Sequence, residues 1–478
     1  MYYYEQPRLR LGVAPHRRDS FAAPEFKELK AQIDKKVKKL AKECDITVIG
    51  TDKLKFPEKT LTWGKHSFVQ PADILMTDYS DATQVAEYFK AQKVDALFLP
   101  FCNFGQEEAV AKVAKELNVP VLIWGPRDPA PDGEKGRPLD TQCGIFAATK
   151  VLQRYGITFT YIENCDIDDP AFANGFKEFI KTAQIVKAFR HARILQFSVR
   201  PQQFMSVIAN EGELLEKFGI EVVPITASAL FGQVYSLLEN NDPGIDEIVA
   251  DIEKTIDMSA LVDKRKLAAV ELGFIKMAQK YGASAIAVEC WESISSEFGF
   301  SPCFILGDLN DRGIPAACEL DIHGAISLLM GTAGSCFKTP AFIADLTIRH
   351  PEDDNVELLW HCGPFAKSLK KDGASGRIVK SGQGYYPIEN GEMTLVRFDG
   401  VQGKYNLFVG KGEAVDGPVT NGNYCWLKVD DWVKWEKKFV YGPYIHHVVG
   451  VYGDHVAAFQ DACRYLGLFY DTPDTPNF

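Results

Sequence analysis

The sequence predicts an α/β fold with two doubly wound parallel-sheet domains followed by a β-rich, barrel-like C-terminal domain. Three observations predict it. Short apolar runs alternate with amphipathic segments through the N-terminal third; the alternation starts again after the acidic stretch "NCDIDDPAF"; and beyond about Leu346 glycines and aromatics become frequent. The expected domains are 1–165, 166–345 and 346–478, consistent with ~100–200 residues per hydrophobic core in a chain of 478 residues.

In chain order, "LRLGVAP", "DITVIG", "VDALFLP", "VPVLIWG" and "ITFTYIE" read as strands, separated by helices such as "FKELKAQIDKKVKKLAKE" and "EEAVAKVAKEL". In such sheets ligands gather at the carboxyl ends of strands, here "PFCNFGQ", ending at Gln106, and "WGPRD". No GxGxxG or GxxxxGK[ST] follows any of these strands, so no nucleotide cofactor is expected. The second unit opens with a helix from about Phe172 to Arg190, then the strand "ARILQFS", the loop "VRPQQF" and the strand "IEVVPIT". Arg200 on that loop is either surface charge or the holder of a polar ligand. Residues 242–279 read as helices, and "ASAIAVECW" as a buried strand ending near Trp291 and Glu292. In the last third, "MTLVRFDG", "KYNLFVGKGEAV" and "NYCWLKVD" alternate between turn signals as antiparallel strands do, and "DHVAAFQDACRYLGL" closes the chain as a helix.

Composition excludes several classes of function. A net charge of −11, with no basic cluster denser than "DKKVKKLAKE", argues against a nucleic-acid partner. No apolar run approaches the ~20 residues of a membrane span, and "MYYYEQPRLRLGVAPHRRD" lacks the apolar centre of an export signal, so a cytoplasmic protein without a membrane partner is expected. Eleven cysteines without CxxC pairing read as small buried hydrophobes rather than disulfides or zinc ligands.

The stretch "PAACELDIHGAISLLMG" sets Glu319, Asp321 and His323 at alternate positions directly before an apolar helix-forming run. Six of the nine histidines lie between His323 and His455, in company with Glu319, Asp321, Asp345 and Glu357. Carboxylates suit Mg2+ or Mn2+, and an imidazole shifts the preference toward Mn2+. The competing reading is of surface carboxylates and core histidines. Glu319 and Asp321, two positions apart, face the same way if the segment is extended.

"PAACELDIHGAISLLMG", "FIADLTIRH" and "YIHHVVGVYGDH", at these intervals, together with "VRPQQFMSVIANEGELLEKFGIEV", resemble the L-fucose isomerase and L-arabinose isomerase family of metal-dependent aldose–ketose isomerases. The resemblance implies that Glu319, Asp345 and His447 bind the metal, with Glu319 and Asp345 also flanking the substrate as the catalytic carboxylates. It implies Mn2+, with Mg2+ or Co2+ in its place, a free sugar as substrate, and a homo-oligomer, commonly a hexamer, in which a neighbouring subunit's N-terminal domain closes the site; Gln106 lies on the loop that would do so. Asp345 matches the fucose branch, which uses aspartate there, whereas His361 in "LLWHCG" resembles an extra metal-site histidine of the arabinose branch. Asp321 is expected beside the ligands; His446 is expected to bind substrate hydroxyls if it lies on a turn, and Trp291 to stack on a sugar. His323 is expected to cap or pack, and His455 to be structural. L-fucose, arabinose and a hexose modified at C6, such as sulfoquinovose, all fit the resemblance. An epimerase or aldolase, or a sugar-binding protein without catalysis, are the rival readings.

Overall fold

The computed structural model describes residues 8–18, 26–63, 66–70, 75–131, 133, 136–137 and 139–476. The opening residues read above for an export signal lie partly outside these. The chain divides into two compact units that meet between Gln184 and Ile185.

The first unit carries strands β1 (Arg10–Val13), β2 (Thr47–Gly50), β3 (Lys59–Trp63), β4 (His66–Gln70), β5 (Ala96–Pro100), β6 (Val121–Trp124) and β7 (Thr160–Tyr161). Five of them form an all-parallel sheet in the order β2-β1-β5-β6-β7, and β3 and β4 pair as a separate antiparallel hairpin that the sequence pattern did not reveal. Both faces of β5 and β6 are buried, which is why they read as unbroken apolar runs. The strand order reverses between β1 and β5, so the loops after these two strands bound a crevice of the kind that receives ligands. Gln106 stands there at the start of the helix Glu107–Leu117, and its backbone N–H donates to Nδ1 of the fully buried His16 at 3.2 Å. Gly105 (φ +76°) keeps this contact open, since a Cβ at that position would lie 2.5 Å from the His16 ring.

The second unit repeats the design and adds a barrel. Strands β8 (Arg193–Phe197), β9 (Glu221–Ile225), β10 (Ala285–Val288) and β11 (Ala316–Ala317) form a parallel sheet in the order β11-β10-β8-β9, reversing between β8 and β10. After them come β12 (Phe342–Arg349), β13 (Val356–His361), β14 (Arg377–Ile378), β15 (Gly384–Pro387), β16 (Gly391–Val401), β17 (Lys404–Val415), β18 (Asn423–Lys428), β19 (His447–Tyr452) and β20 (Phe469–Asp471). The pairing β18-β13-β12-β19-β16-β17 returns to β18, which closes a six-stranded barrel; β14 and β15 extend it beside β18, and β20 beside β17. Closure removes the unpaired edges that an open antiparallel sheet would expose.

Between sheet and barrel lies the helix Ile322–Gly334, buried at every position. It has no polar stripe because it has no solvent face. Its apolar side chains join one core cluster with Ile194 and Ala287 of the sheet and with Val396 and Val449 of the barrel. Small residues permit the approach: a Cβ on Gly331 would stand 3.1 Å from Ala341 Cβ and Val449 Cγ1. Two late elements were not foreseen. "WVKWEKKFVY" forms a helix (Trp432–Tyr441) capped by Asp431, and β20 follows the last helix instead of the chain ending on it. No helix among the described residues is long and apolar enough to cross a membrane.

Glu357 lies on β13 in register with Arg349 and Leu427, four residues before His361, and is 4% exposed. Burial pushes its carboxyl up to about 7; Arg349 opposes the shift and Glu436 adds to it. An acid whose pKa is higher folded than unfolded favours folding when protonated, so this contribution is lost as pH rises from about 4.5 through 7. Discounted for solvent screening, the loss is about 1–2 kcal/mol. Glu357→Gln is therefore expected to raise the thermal midpoint at pH 8 and leave it nearly unchanged at pH 5. Equal shifts at both pH values would contradict the assignment.

Candidate functional site

Three strand ends of the parallel sheet and three segments of the barrel converge within the second unit. From the sheet come the loop after β8, with Arg200 and Phe204; the loop after β10, with Glu289 and Trp291; and the turn after β11, with Glu319 and Asp321. From the barrel come Asp345 on β12, His361 at the end of β13, and His446 and His447 at the start of β19. The carboxyl-end rule for open α/β sheets places the first group, and barrel register places the second: Asp345 is directly opposite His447 in the β12–β19 pair.

The turn after β11 departs from the extended geometry considered from sequence. Glu319 and Leu320 both adopt left-handed backbone, at φ +61° and +58°, a conformation that costs non-glycine residues on the order of 1 kcal/mol or more each. The Leu320 N–H donates to the Val288 carbonyl at 3.0 Å and the Asp321 N–H to the Cys318 carbonyl at 3.1 Å, which hold the turn closed. Glu319 and Asp321 thus reach His447 from different directions. The Glu319 carboxylate meets Nε2 at 3.1 Å and the Asp321 carboxylate meets Nδ1 at 2.8 Å.

Asp321 is fully buried and accepts from four donor groups on three residues. It accepts from the Gly324 N–H as the cap of the buried helix, from His447, and from both terminal nitrogens of Arg397 at 2.5 and 3.2 Å. A Cβ on Gly324 would lie 2.5 Å from the Asp321 carboxylate, so glycine is required there. Arg397, also buried, donates in addition to Asp399 at 2.8 and 3.0 Å, and Asp399 meets His323 Nδ1 at 2.8 Å. His323 therefore belongs to the far end of this chain of charges.

Burial alone would raise the Asp321 pKa, but the Arg397 charge and the His447 hydrogen bond hold it far below the usual carboxylate range. Glu319 feels the same opposition; the His447 hydrogen bond and the charges of His361 and His447 win, and its carboxyl falls to about 2. His447 is 0% exposed, which disfavours its charge, yet its bonds to Asp321 and Glu319 raise it to about 9. His446, half-exposed, is shifted downward by burial and by the His447 charge.

Asp345 brings its Oδ1 to 3.3 Å from His447 Nε2, 3.8 Å from His446 Nε2 and 3.9 Å from His361 Nε2, without forming a hydrogen bond. His361 uses Nδ1 to accept the Cys362 N–H at 2.9 Å, which leaves a proton on Nε2, and that Nε2 also lacks a partner. Two sets of donors lie within 4.8 Å of one another: Glu319, His361 and His447, and Asp345, His446 and His447. Trp291 is 43% exposed; its indole N–H donates to Glu319 at 3.0 Å, and its ring stacks on Phe204 with centroids 5.8 Å apart. Phe204 also stacks on His446. Among the described residues, Arg200 donates to the Pro201 carbonyl and bonds to none of these groups, and Gln106 belongs to the first unit.

Three residues central to this geometry escaped the sequence reading. Glu289 accepts three successive backbone N–H groups, from Trp291, Glu292 and Ser293, and so fixes the turn that presents Trp291. Arg397 sat unremarked inside a strand pattern, and Phe204 inside a loop. An arginine in an otherwise apolar strand run was the one available signal, because burying its charge requires carboxylate partners.

Arg397→Met would leave Asp321 and Asp399 buried without their counter-charge, a loss of about 3–5 kcal/mol for a broken buried pair. A lowering of the thermal midpoint by several degrees is expected, together with weakened activity. An unchanged midpoint would show that the network does not brace the site.

Comparison with known proteins gives the family. Residues 12–190 match the family model for the fucose/sulfoquinovose isomerase N-terminal domain, and residues 361–472 that for the L-fucose isomerase C-terminal domain, together more than half of the chain. The chain is 24% identical over 374 residues to a sulfoquinovose isomerase of Priestia aryabhattai, covering 76% of this chain and 81% of that protein. It is 26% identical over 336 residues to one of Alkalicoccus urumqiensis, covering 68% and 73%. A solved periplasmic solute-binding protein of Actinobacillus succinogenes with bound D-allose aligns over 69% of this chain and 92% of its own, at 12% identity and a TM-score of 0.17, too low to carry an argument. The two family-model matches, the second of which includes His361, His446 and His447 of the cluster, place this chain in the L-fucose isomerase family of sugar isomerases.

Proposed function

We propose that the chain is a metal-dependent aldose–ketose isomerase of the cytoplasm that interconverts a free sugar with its ketose through a cis-enediol. The observation that carries this reading is the convergence of Glu319, Asp345 and His447 with one Asp345 oxygen buried and unbonded. A buried carboxylate oxygen without a partner costs about 1–3 kcal/mol, which a cation would relieve. Two carboxylates and an imidazole suit Mn2+, with Mg2+ or Co2+ as substitutes. His447 fits the part: Nδ1 is held by Asp321, which leaves Nε2 directed at Glu319 and Asp345. When bound, the cation supplies Lewis-acid polarisation of the sugar carbonyl and offsets the negative charge that develops on its oxygens.

The chain's own residues move the protons. Glu319, ionised at neutral pH, and Asp345 flank the reacting carbons; one of them takes the proton from C2 and returns it to C1, while the hydroxyl proton of O2 passes to O1. His361 offers its Nε2–H to a sugar oxygen, because its Nδ1 is already engaged as an acceptor. The exposed face of Trp291, backed by Phe204, receives the apolar face of the sugar ring. His446 and Arg200 serve the outer hydroxyls or an anionic substituent. In a homo-oligomer, a hexamer in the pattern of the family, the loop carrying Gln106 is offered to a neighbouring copy. The activity for which the relatives are named makes sulfoquinovose the first substrate to assay, ahead of L-fucose and L-arabinose.

Chelator treatment is expected to abolish isomerisation and Mn2+ to restore it, whereas Glu319→Gln and His447→Ala lower kcat/KM by at least ~10³-fold with the fold intact by circular dichroism. Undiminished turnover in both variants would refute the site. In deuterated water the product is expected to gain deuterium at C1 or C2; complete retention of the substrate hydrogen would argue for hydride transfer instead.

A further inference from the structure

Four cysteines meet beside the site, each from a different segment. Cys290 follows β10, Cys303 begins the helix Cys303–Asp311, Cys318 follows β11 and Cys362 follows β13. The first three are 4%, 3% and 0% exposed, and Cys362 is partly buried. The sulfurs of Cys303 and Cys362 lie 3.0 Å apart, as do those of Cys290 and Cys318. Those of Cys303, Cys318 and Cys362 all fall within 4.8 Å of one another. Apart from each other, they approach Ser301 Oγ, 3.5 Å from Cys303, and His361 Nδ1, 3.2 Å from Cys362.

A buried thiol by itself is a small hydrophobe. Apolar packing, however, gives no reason for four sulfurs from separate segments to meet one another in place of alanine or valine. We propose that Cys303, Cys318 and Cys362 form a binding site for one thiophilic divalent cation of the zinc type, with Cys290 as the fourth sulfur. The three sulfurs have the right spread. With one edge at 3.0 Å and the others at most 4.8 Å, a point equidistant from all three lies about 2.5 Å or less from each, against ~2.3 Å for a zinc–thiolate bond. Cys290, in contact with Cys318, needs only a small shift to complete a tetrahedron.

Each sulfur that bonds the cation releases one proton to solvent, so binding is a proton exchange that needs no oxidant. All four positions are filled by protein, as in a structural rather than a catalytic site. The consequence is mechanical. Cys318 immediately precedes Glu319 and Cys362 immediately follows His361, so a cation here braces two of the segments that line the carboxylate–histidine cluster. Soft thiolates and hard carboxylates prefer different metals, which keeps this site distinct from the neighbouring one.

The probe is Cd2+, added to the reduced, chelator-stripped full-length protein in the presence of excess Mn2+, with the ultraviolet sulfur-to-cadmium charge-transfer band as readout. One equivalent is expected to saturate the band, and Zn2+ to remove it. Glu319→Gln should retain it, which separates failure of this proposal from failure of the isomerase reading. Paired Cys303→Ser and Cys362→Ser substitutions should lower it by half or more, whereas Cys463→Ser, a buried cysteine on the last helix, should not. The absence of a saturable band in the unmodified protein, its persistence in the paired variant, or isolation of Cys303–Cys362 as a disulfide would each overturn the proposal. The unmodified protein is decisive even if the variants fail to fold.

Discussion

The buried carboxylate of Asp321 ties the two layers of the second unit together at the point where the site forms. It caps the helix that fills the space between sheet and barrel, pairs with Arg397 of the barrel, and receives Nδ1 of His447 from a third strand. A carboxylate with no exposure is tolerable only because each of its lone pairs is used. Each partner also has a position to keep. The helix N-terminus fixes the turn that carries Glu319, Arg397 fixes β16 against the helix, and His447 is held with Nε2 toward the cluster. The same group therefore supplies fold specificity and site geometry.

Around that anchor, the design reuses one principle twice. Both units wind a parallel sheet whose strand order reverses once, and the second puts its site loops at carboxyl ends of strands near the reversal. In the second unit the crevice is roofed by a closed barrel, whose strands deliver Asp345 and His447 in fixed register. Loops contribute Phe204 and Trp291, the strained turn after β11 contributes Glu319, and barrel strands contribute Asp345, His361 and His447. Left-handed backbone at Glu319 and Leu320 is the local strain that this rigidity holds in place.

The thiol cluster stands behind the carboxylates on the same segments. "CELD" and "LLWHCG" each carry one residue of the carboxylate–histidine cluster and one sulfur next to it. Two donor sets of opposite softness are thereby interleaved along the chain, and His361 touches both, with its Nδ1 3.2 Å from Cys362 Sγ. Of the eleven free cysteines among the described residues, these four gather.

The sequence by itself determined the periodicities. Alternation of apolar runs and amphipathic helices specified parallel sheets, because strands covered on both faces must be apolar throughout, and the change of texture after Leu346 specified antiparallel strands. The resemblance of its motifs also pointed to Glu319, Asp345 and His447, which the structure brings within 3.3 Å of one another through His447 Nε2. Only the tertiary structure decided which groups meet. The left-handed turn at Glu319, the closure of the barrel through the β17–β18 pair, and the linking of Asp321, Arg397, Asp399 and His323 depend on contacts between residues as much as 76 positions apart. Local pattern carries the energy of a strand or a helix, but a buried charge is stabilised only by the partner that folding brings to it, and that partner leaves no periodic trace in the chain.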